Sequence, residues 1–75
     1  MVNITGKERI LMAREKLKEA RQKAGMTQKQ VAEYLKISES GYRQIEAGRR
    51  IGSIKTWDSL EDLFNVHQRE LRKMI

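Results

Sequence analysis

Between Gln28 and Ile45 the chain carries apolar and small residues at a spacing that few folds accommodate. Val31, Ala32 and Leu35, then Tyr42 and Ile45, fall three or four apart within two short runs, which predicts two amphipathic helices joined by a tight turn at Lys36-Ile37. Ala32 faces the place where the second helix crosses. A larger side chain there would push the helices apart, because packed interiors leave little room for extra methylenes. Thr27 can cap the first helix and Ser38 the second, each hydroxyl accepting from an amide two or three residues on. The outer face of the second helix carries Glu39, Ser40, Arg43 and Gln44. An ordinary helical hairpin needs only the apolar residues. It gives no reason for the small residue at 32 or for the polar outer face.

A helix-turn-helix gives a reason for both, since it presents its second helix to the major groove of DNA. The flanks make the likeness specific. Residues 17–71 read LKEARQKAGMTQKQVAEYLKISESGYRQIEAGRR and continue IGSIKTWDSLEDLFNVHQREL. The chain resembles the Cro/repressor-type, or XRE-like, helix-turn-helix family in five linked motifs. These are a basic first helix, a Gly-apolar-Thr-Gln junction, an Ile-Ser entry to the reading helix, an Ile-Glu-x-Gly ending and a following amphipathic helix. It departs from the family pattern at Lys36, where Gly is usual, and at Gly41, where a longer polar side chain is common. It departs again after Gly48, where Ile51-Gly52 replaces the usual Pro. The resemblance implies an all-α fold, a compact five-helix bundle of the lambda repressor-like DNA-binding kind. It spans 1–75 as a single domain with its motif near 27–47.

Seventy-five residues lie near the lower limit for an independent core. Without cysteine, neither a disulfide nor a thiolate metal site can help, and the lone His67 cannot build a metal site. No cofactor or metal is expected. No apolar run approaches the ~20 residues of a membrane span. MVNITGKERI lacks a secretory signal's charged start and apolar centre, so the cytoplasm is the expected location. The net charge is +6, and it is uneven: residues 1–25 hold seven basic against three acidic side chains, and residues 26–50 five against three. Residues 51–75 are neutral, so the positive balance sits on the reading unit and the helix before it, as nucleic-acid binding requires.

No proline and five glycines point to helices with short connections. Thr5-Gly6-Lys7-Glu8 has capping-box spacing, and Ile10, Ala13, Leu17, Ala20 and Ala24 then form one stripe ending at Gly25. This predicts a first helix of about five turns. Ser53 or Thr56 starts a fourth helix with Trp57, Leu60, Leu63 and Phe64 as core, ended by Asn65. A short fifth helix is expected from His67 to Met74, with His67 exposed at its start and without chemical duty.

The candidate base-reading residues are Ser38, Glu39, Ser40, Arg43 and Gln44. Arg and Gln can pair with guanine and adenine edges, Glu can accept from cytosine's amino group, and Ser is tolerant. Against Glu39 stands its repulsion by nearby phosphates. The candidate phosphate contacts are Arg21, Thr27, Gln28, Lys29, Arg49, Arg50 and Lys55, with Gln28 following a cap at a helix N-terminus, where amides point at anions. The resemblance further implies that Arg21 pairs with Glu46 and ties the reading helix to its scaffold. No nucleophile, glycine-rich cradle or ligand cluster supports catalysis, so an enzyme is not expected.

The function expected is sequence-specific binding of double-stranded DNA, and the resemblance implies a repressor or Cro-like regulator of bacterial or phage origin. The alternative is a protein-interaction adaptor or anti-repressor that uses the same fold without reading bases. Structured RNA suits a single reading helix less well. One such helix covers few base pairs, so a weak homodimer strengthened on DNA is expected. Val66, Leu71, Met74 and Ile75 are the candidate apolar surface, unless Leu71 and Met74 simply cover the first helix near Ile10 and Leu11. No small-molecule substrate is evident.

Overall fold

A computed structural model describes residues 13–74. Five helices and no strand occur among them: α1 (Glu15–Lys23), α2 (Gln28–Leu35), α3 (Glu39–Glu46), α4 (Ile54–Phe64) and α5 (Gln68–Leu71). The described residues therefore form the expected all-helical bundle, with five helices among them. One apolar cluster holds it together, built from Leu17 of α1, Val31 and Ala32 of α2, Tyr42 and Ile45 of α3, Trp57 and Leu60 of α4, and Leu71 of α5. Burying each of the larger of these side chains contributes roughly 1.5–3 kcal/mol.

The α2–α3 unit forms for reasons local to its sequence. Thr27 Oγ1 accepts from the Gln30 amide at 3.0 Å while the Gln30 side chain accepts from the Thr27 amide at 2.9 Å, a complete capping box. At the other end Lys36 takes the left-handed conformation at φ 61°, and the Ile37 amide closes onto Ala32 O at 3.0 Å. That reversal sends the chain directly into Ser38, whose hydroxyl accepts from the Gly41 amide at 2.9 Å and starts α3. Ala32 is 1% exposed, so the crossing of α2 and α3 has no room for a longer side chain.

Three expectations are corrected. The stripe beginning at Ile10 is not one unbroken helix, because Ala13 and Arg14 lie outside α1. Arg14 leaves the helical conformation so that its amide can donate to Glu46 O at 3.0 Å, where α3 ends. The Thr5–Glu8 capping box, Ile10 and Leu11 lie outside the described residues. The fifth helix is a single turn, Gln68–Leu71, and stops at Arg72 rather than Met74. Finally, Leu71 is not spare surface: it is fully buried in the core, and Val66 packs against that core. Met74 is half-buried, and Ile75 lies outside the described residues. His67 caps α5 through Nδ1, which accepts from the Arg69 amide at 3.0 Å.

The loop between α3 and α4 is pinned from inside. Trp57 Nε1 donates to Ile51 O at 2.7 Å, and Gly52, at φ +82°, lies so close that a Cβ would stand 3.1 Å from that nitrogen. A glycine in the left-handed region there lets the loop fold over the indole. No helix among the described residues is long and apolar enough to cross a membrane.

Candidate nucleic-acid interface

Helix α3 turns Gly41, Tyr42, Ile45 and Glu46 inward, leaves Ser40 and Arg43 exposed, and leaves Glu39 and Gln44 half-buried. This is the 3.6-residue period acting on one short helix. Arg43 Nη2 donates to Glu39 Oε2 at 3.0 Å across one turn, and both side chains are open to solvent. The ion pair is worth a few tenths of a kcal/mol in water. Its larger effect is positional, because it holds the Arg43 guanidinium beside the first turn and offsets the negative charge of Glu39. Ser38 is exposed, with its hydroxyl oxygen engaged by the cap and its own proton free to donate.

Behind this face lies a buried polar knot. The Glu46 carboxylate accepts from Arg21 Nε at 2.8 Å, Arg21 Nη2 at 3.1 Å, Gln28 Nε2 at 2.9 Å and Tyr42 Oη at 2.8 Å. Arg21 also donates to Met26 O at 2.9 Å, so one guanidinium joins α1, the α1–α2 turn and α3. Burial pushes the Glu46 carboxyl up, but the bonds from Arg21, Tyr42 and Gln28 outweigh it and hold its pKa below the ordinary carboxylate value. The bond to Glu46 raises Arg21, and burial together with the Glu46 charge pushes the Tyr42 phenol well above its ordinary value. Helix α3 is thus fixed to α1 by an ion pair that persists at neutral pH and to α2 by the neutral Gln28 amide.

Lys29, Arg49, Arg50 and Lys55 are exposed, and none pairs with a carboxylate among the described residues. Lys29 follows the α2 cap, Arg49 and Arg50 follow α3, and Lys55 opens α4. Thr27 is exposed at the α2 cap, with its backbone amide taken by Gln30, which leaves its hydroxyl proton for any outside acceptor. Gln28 is half-buried and spends one amide hydrogen on Glu46, keeping another. A cleft between α1 and α3 brings Arg21, Gln28 and Arg43 together with Lys18, a residue the sequence reading missed. Its signal was the one-turn spacing from Arg21 on the basic first helix.

Arg14 was also missed. It is 5% exposed, and its guanidinium donates to Ile45 O at 2.6 Å, Arg50 O at 2.7 Å and Arg72 O at 3.3 Å. It also lies over the Trp57 ring, 5.2 Å from the centroid. Burial, and then the charge of Arg72, lower its pKa. An arginine three residues before Leu17 and seven before Arg21 shares their inward face, which was the available clue. Its effect is to tether the end of α3, the loop that follows and the end of α5.

The family model described as helix-turn-helix, of the Cro/XRE type, matches residues 17–72. Neither the curated protein sequences nor the solved structures give a significant match.

Proposed function

The chain belongs to the Cro/XRE-type helix-turn-helix family, and from that premise we propose that it is a sequence-specific, double-stranded-DNA-binding transcriptional regulator. We place it among repressors or Cro-like regulators acting in a bacterial or phage-infected cytoplasm. The observation that carries this is the pairing of two surfaces. The outward face of α3 bears Ser40, Arg43 and Gln44. Lys29 in the first turn of α2, Arg49 and Arg50 after α3, and Lys55 in the first turn of α4 are exposed with no carboxylate partner among the described residues. The outward face of α3 enters the major groove, with Ser38, Glu39, Ser40, Arg43 and Gln44 against base edges. Phosphates on either side meet Thr27, Gln28 and Lys29 at the start of α2, Arg49 and Arg50 after α3, and Lys55 at the start of α4. Arg21 keeps donor hydrogens beyond those bound to Glu46 and Met26, and lines the same cleft as Lys18.

The chain acts as a weak homodimer that DNA strengthens, since two linked half-sites favour the paired form. With Leu71 in the core, the apolar surface that supports such a contact is at Ile51, 71% exposed, and Ile54, 81% exposed. An adaptor that never reads bases would use the same two isoleucines against a different protein. Binding to an enriched and to a random duplex across salt concentrations separates these readings. A DNA reader loses affinity on a log–log line with a slope near −0.9 for each phosphate neutralised and still prefers the enriched duplex, whereas an adaptor of the same charge binds both duplexes alike. Sedimentation on a palindromic duplex tests the dimer, and one chain per duplex at saturation would refute it.

A further inference from the structure

Gly41 stands at the third position of α3, buried, with its amide held by the Ser38 hydroxyl at 2.9 Å. A Cβ on Gly41 would lie 3.0 Å from Ser38 Oγ and 3.4 Å from Arg50 Nη1. The second distance puts the Arg50 guanidinium against the first turn of α3, although Arg50 itself lies beyond the end of the helix. The backbone of Arg50 is held on both sides. Its amide donates to Gln44 O at 3.2 Å, and its carbonyl accepts from the buried Arg14 Nη1 at 2.7 Å. The side chain therefore starts from a fixed origin and runs back along the helix into the space the glycine leaves.

That position is electrostatically unfavourable for an isolated protein. The first turn of a helix carries partial positive charge. Glu39, the acid of that turn, is engaged by Arg43 at 3.0 Å, and Arg50 has no carboxylate partner among the described residues. An acceptor-rich surface in front of α3 would resolve the conflict. The first turn of a reading helix is also the part that meets base edges.

We propose that Arg50 is a specificity-determining residue that reads a guanine from beside the helix. Its fork donates two parallel hydrogen bonds to O6 and N7 in the major groove. A side chain longer than alanine at position 41 would take the place of the guanidinium, whereas a lone Cβ would stand in ordinary contact with it at 3.4 Å. This deepens the DNA-binding reading above and rests on it. It also changes Arg50 from a phosphate contact into a base contact, leaving Arg49 as the phosphate contact of that loop. A polar side chain at position 41 and a guanidinium arriving from position 50 are alternative ways of filling the same space.

The test uses duplexes enriched from a random pool by the parent chain, together with all single base-pair variants of the enriched site. Arg50→Lys keeps the charge and removes the fork. It is expected to leave the salt slope in place while preference at one G·C pair falls roughly 5- to 150-fold. Gly41→Gln places a longer side chain where the guanidinium lies, a Cβ alone being in ordinary contact with Arg50 Nη1 at 3.4 Å, and is expected to weaken preference at the same pair, adding little in the double variant. Circular dichroism checks that each variant is folded, and Arg50→Lys decides alone if Gly41→Gln is not. Unchanged base-pair preferences in Arg50→Lys, with a slope flattened by about one unit in Arg50→Ala, would make Arg50 a phosphate contact and overturn the proposal. Failure of the parent to enrich any sequence would instead refute the DNA-binding reading on which it rests.

Discussion

Replacing Glu46 by glutamine removes a charge and almost no volume, so it isolates what the buried knot contributes. Every group facing the carboxylate is a donor: Arg21 Nε and Nη2, Gln28 Nε2 and the Tyr42 hydroxyl. A glutamine keeps one acceptor oxygen and turns an NH2 toward two of those donors. The Tyr42 hydroxyl can rotate and accept instead, but Arg21 has no acceptor to offer. The variant therefore leaves a guanidinium whose side chain is 11% exposed without its counter-charge. Breaking one side of a buried pair costs ~3–5 kcal/mol. Because Arg21 keeps some solvent contact and its bond to Met26 O, the lower end, about 3 kcal/mol, is expected. Total stability for a domain of this size is on the order of 4–11 kcal/mol, so the midpoint of thermal unfolding should fall by roughly 12–24 °C. Urea unfolding followed by Trp57 fluorescence and by circular dichroism gives the difference directly. The pH dependence supplies a second check. The folded pKa of Glu46 is lowered, so its contribution is complete above the unfolded value of about 4.3 and is lost as pH falls through the folded value. The gap between parent and variant should narrow below about pH 4. A loss under ~1 kcal/mol at pH 7, or a gap that stays constant into acid, would refute the reasoning.

Arg14→Met keeps an apolar stem over Trp57 but leaves Ile45 O and Arg50 O without their buried donor. Equilibrium unfolding should show a loss of about 2–4 kcal/mol, and amide exchange should quicken between Arg49 and Ile51. Lys36→Gly should act in the opposite direction. Lys36 holds φ 61°, which costs a side chain ~1–2 kcal/mol, and the greater freedom of glycine in the unfolded chain returns part of that. A net gain of roughly 0.5–1 kcal/mol in urea unfolding is expected.

The α2–α3 unit was legible in the sequence because its determinants are local. Thr27 and Ser38 cap the helices that follow them, and the three-four spacing of Val31, Leu35, Tyr42 and Ile45 points those residues inward. The division of α3 into an inward and an outward face follows from the same period. What remained hidden depends on segments far apart in the chain. The burial of Arg14 is decided by carbonyls of Ile45, Arg50 and Arg72, which reach it only once α3, the following loop and α5 are assembled. The bond from the Arg14 amide to Glu46 O, equally distant in sequence, explains why the first-helix stripe breaks before Glu15. Leu71 looked like spare apolar surface because a one-turn helix leaves little periodicity to read, and the cluster it joins draws on residues as distant in sequence as Leu17. The course of Arg50 back along α3 was equally invisible, since the space beside Gly41 exists only after the loop has closed over Trp57.

The central claim, that α3 reads bases within a cationic frame, is tested most directly by selecting bound duplexes from a random pool with the parent chain and with Gln44→Ala. The parent should enrich one sequence family, bound on the order of a thousandfold or more above random duplex. Gln44→Ala should lose preference at one or two base pairs, by roughly 1–3 kcal/mol each, while its affinity for random duplex falls little. A folded parent that enriches nothing, or enriched sites identical in parent and variant, would contradict it.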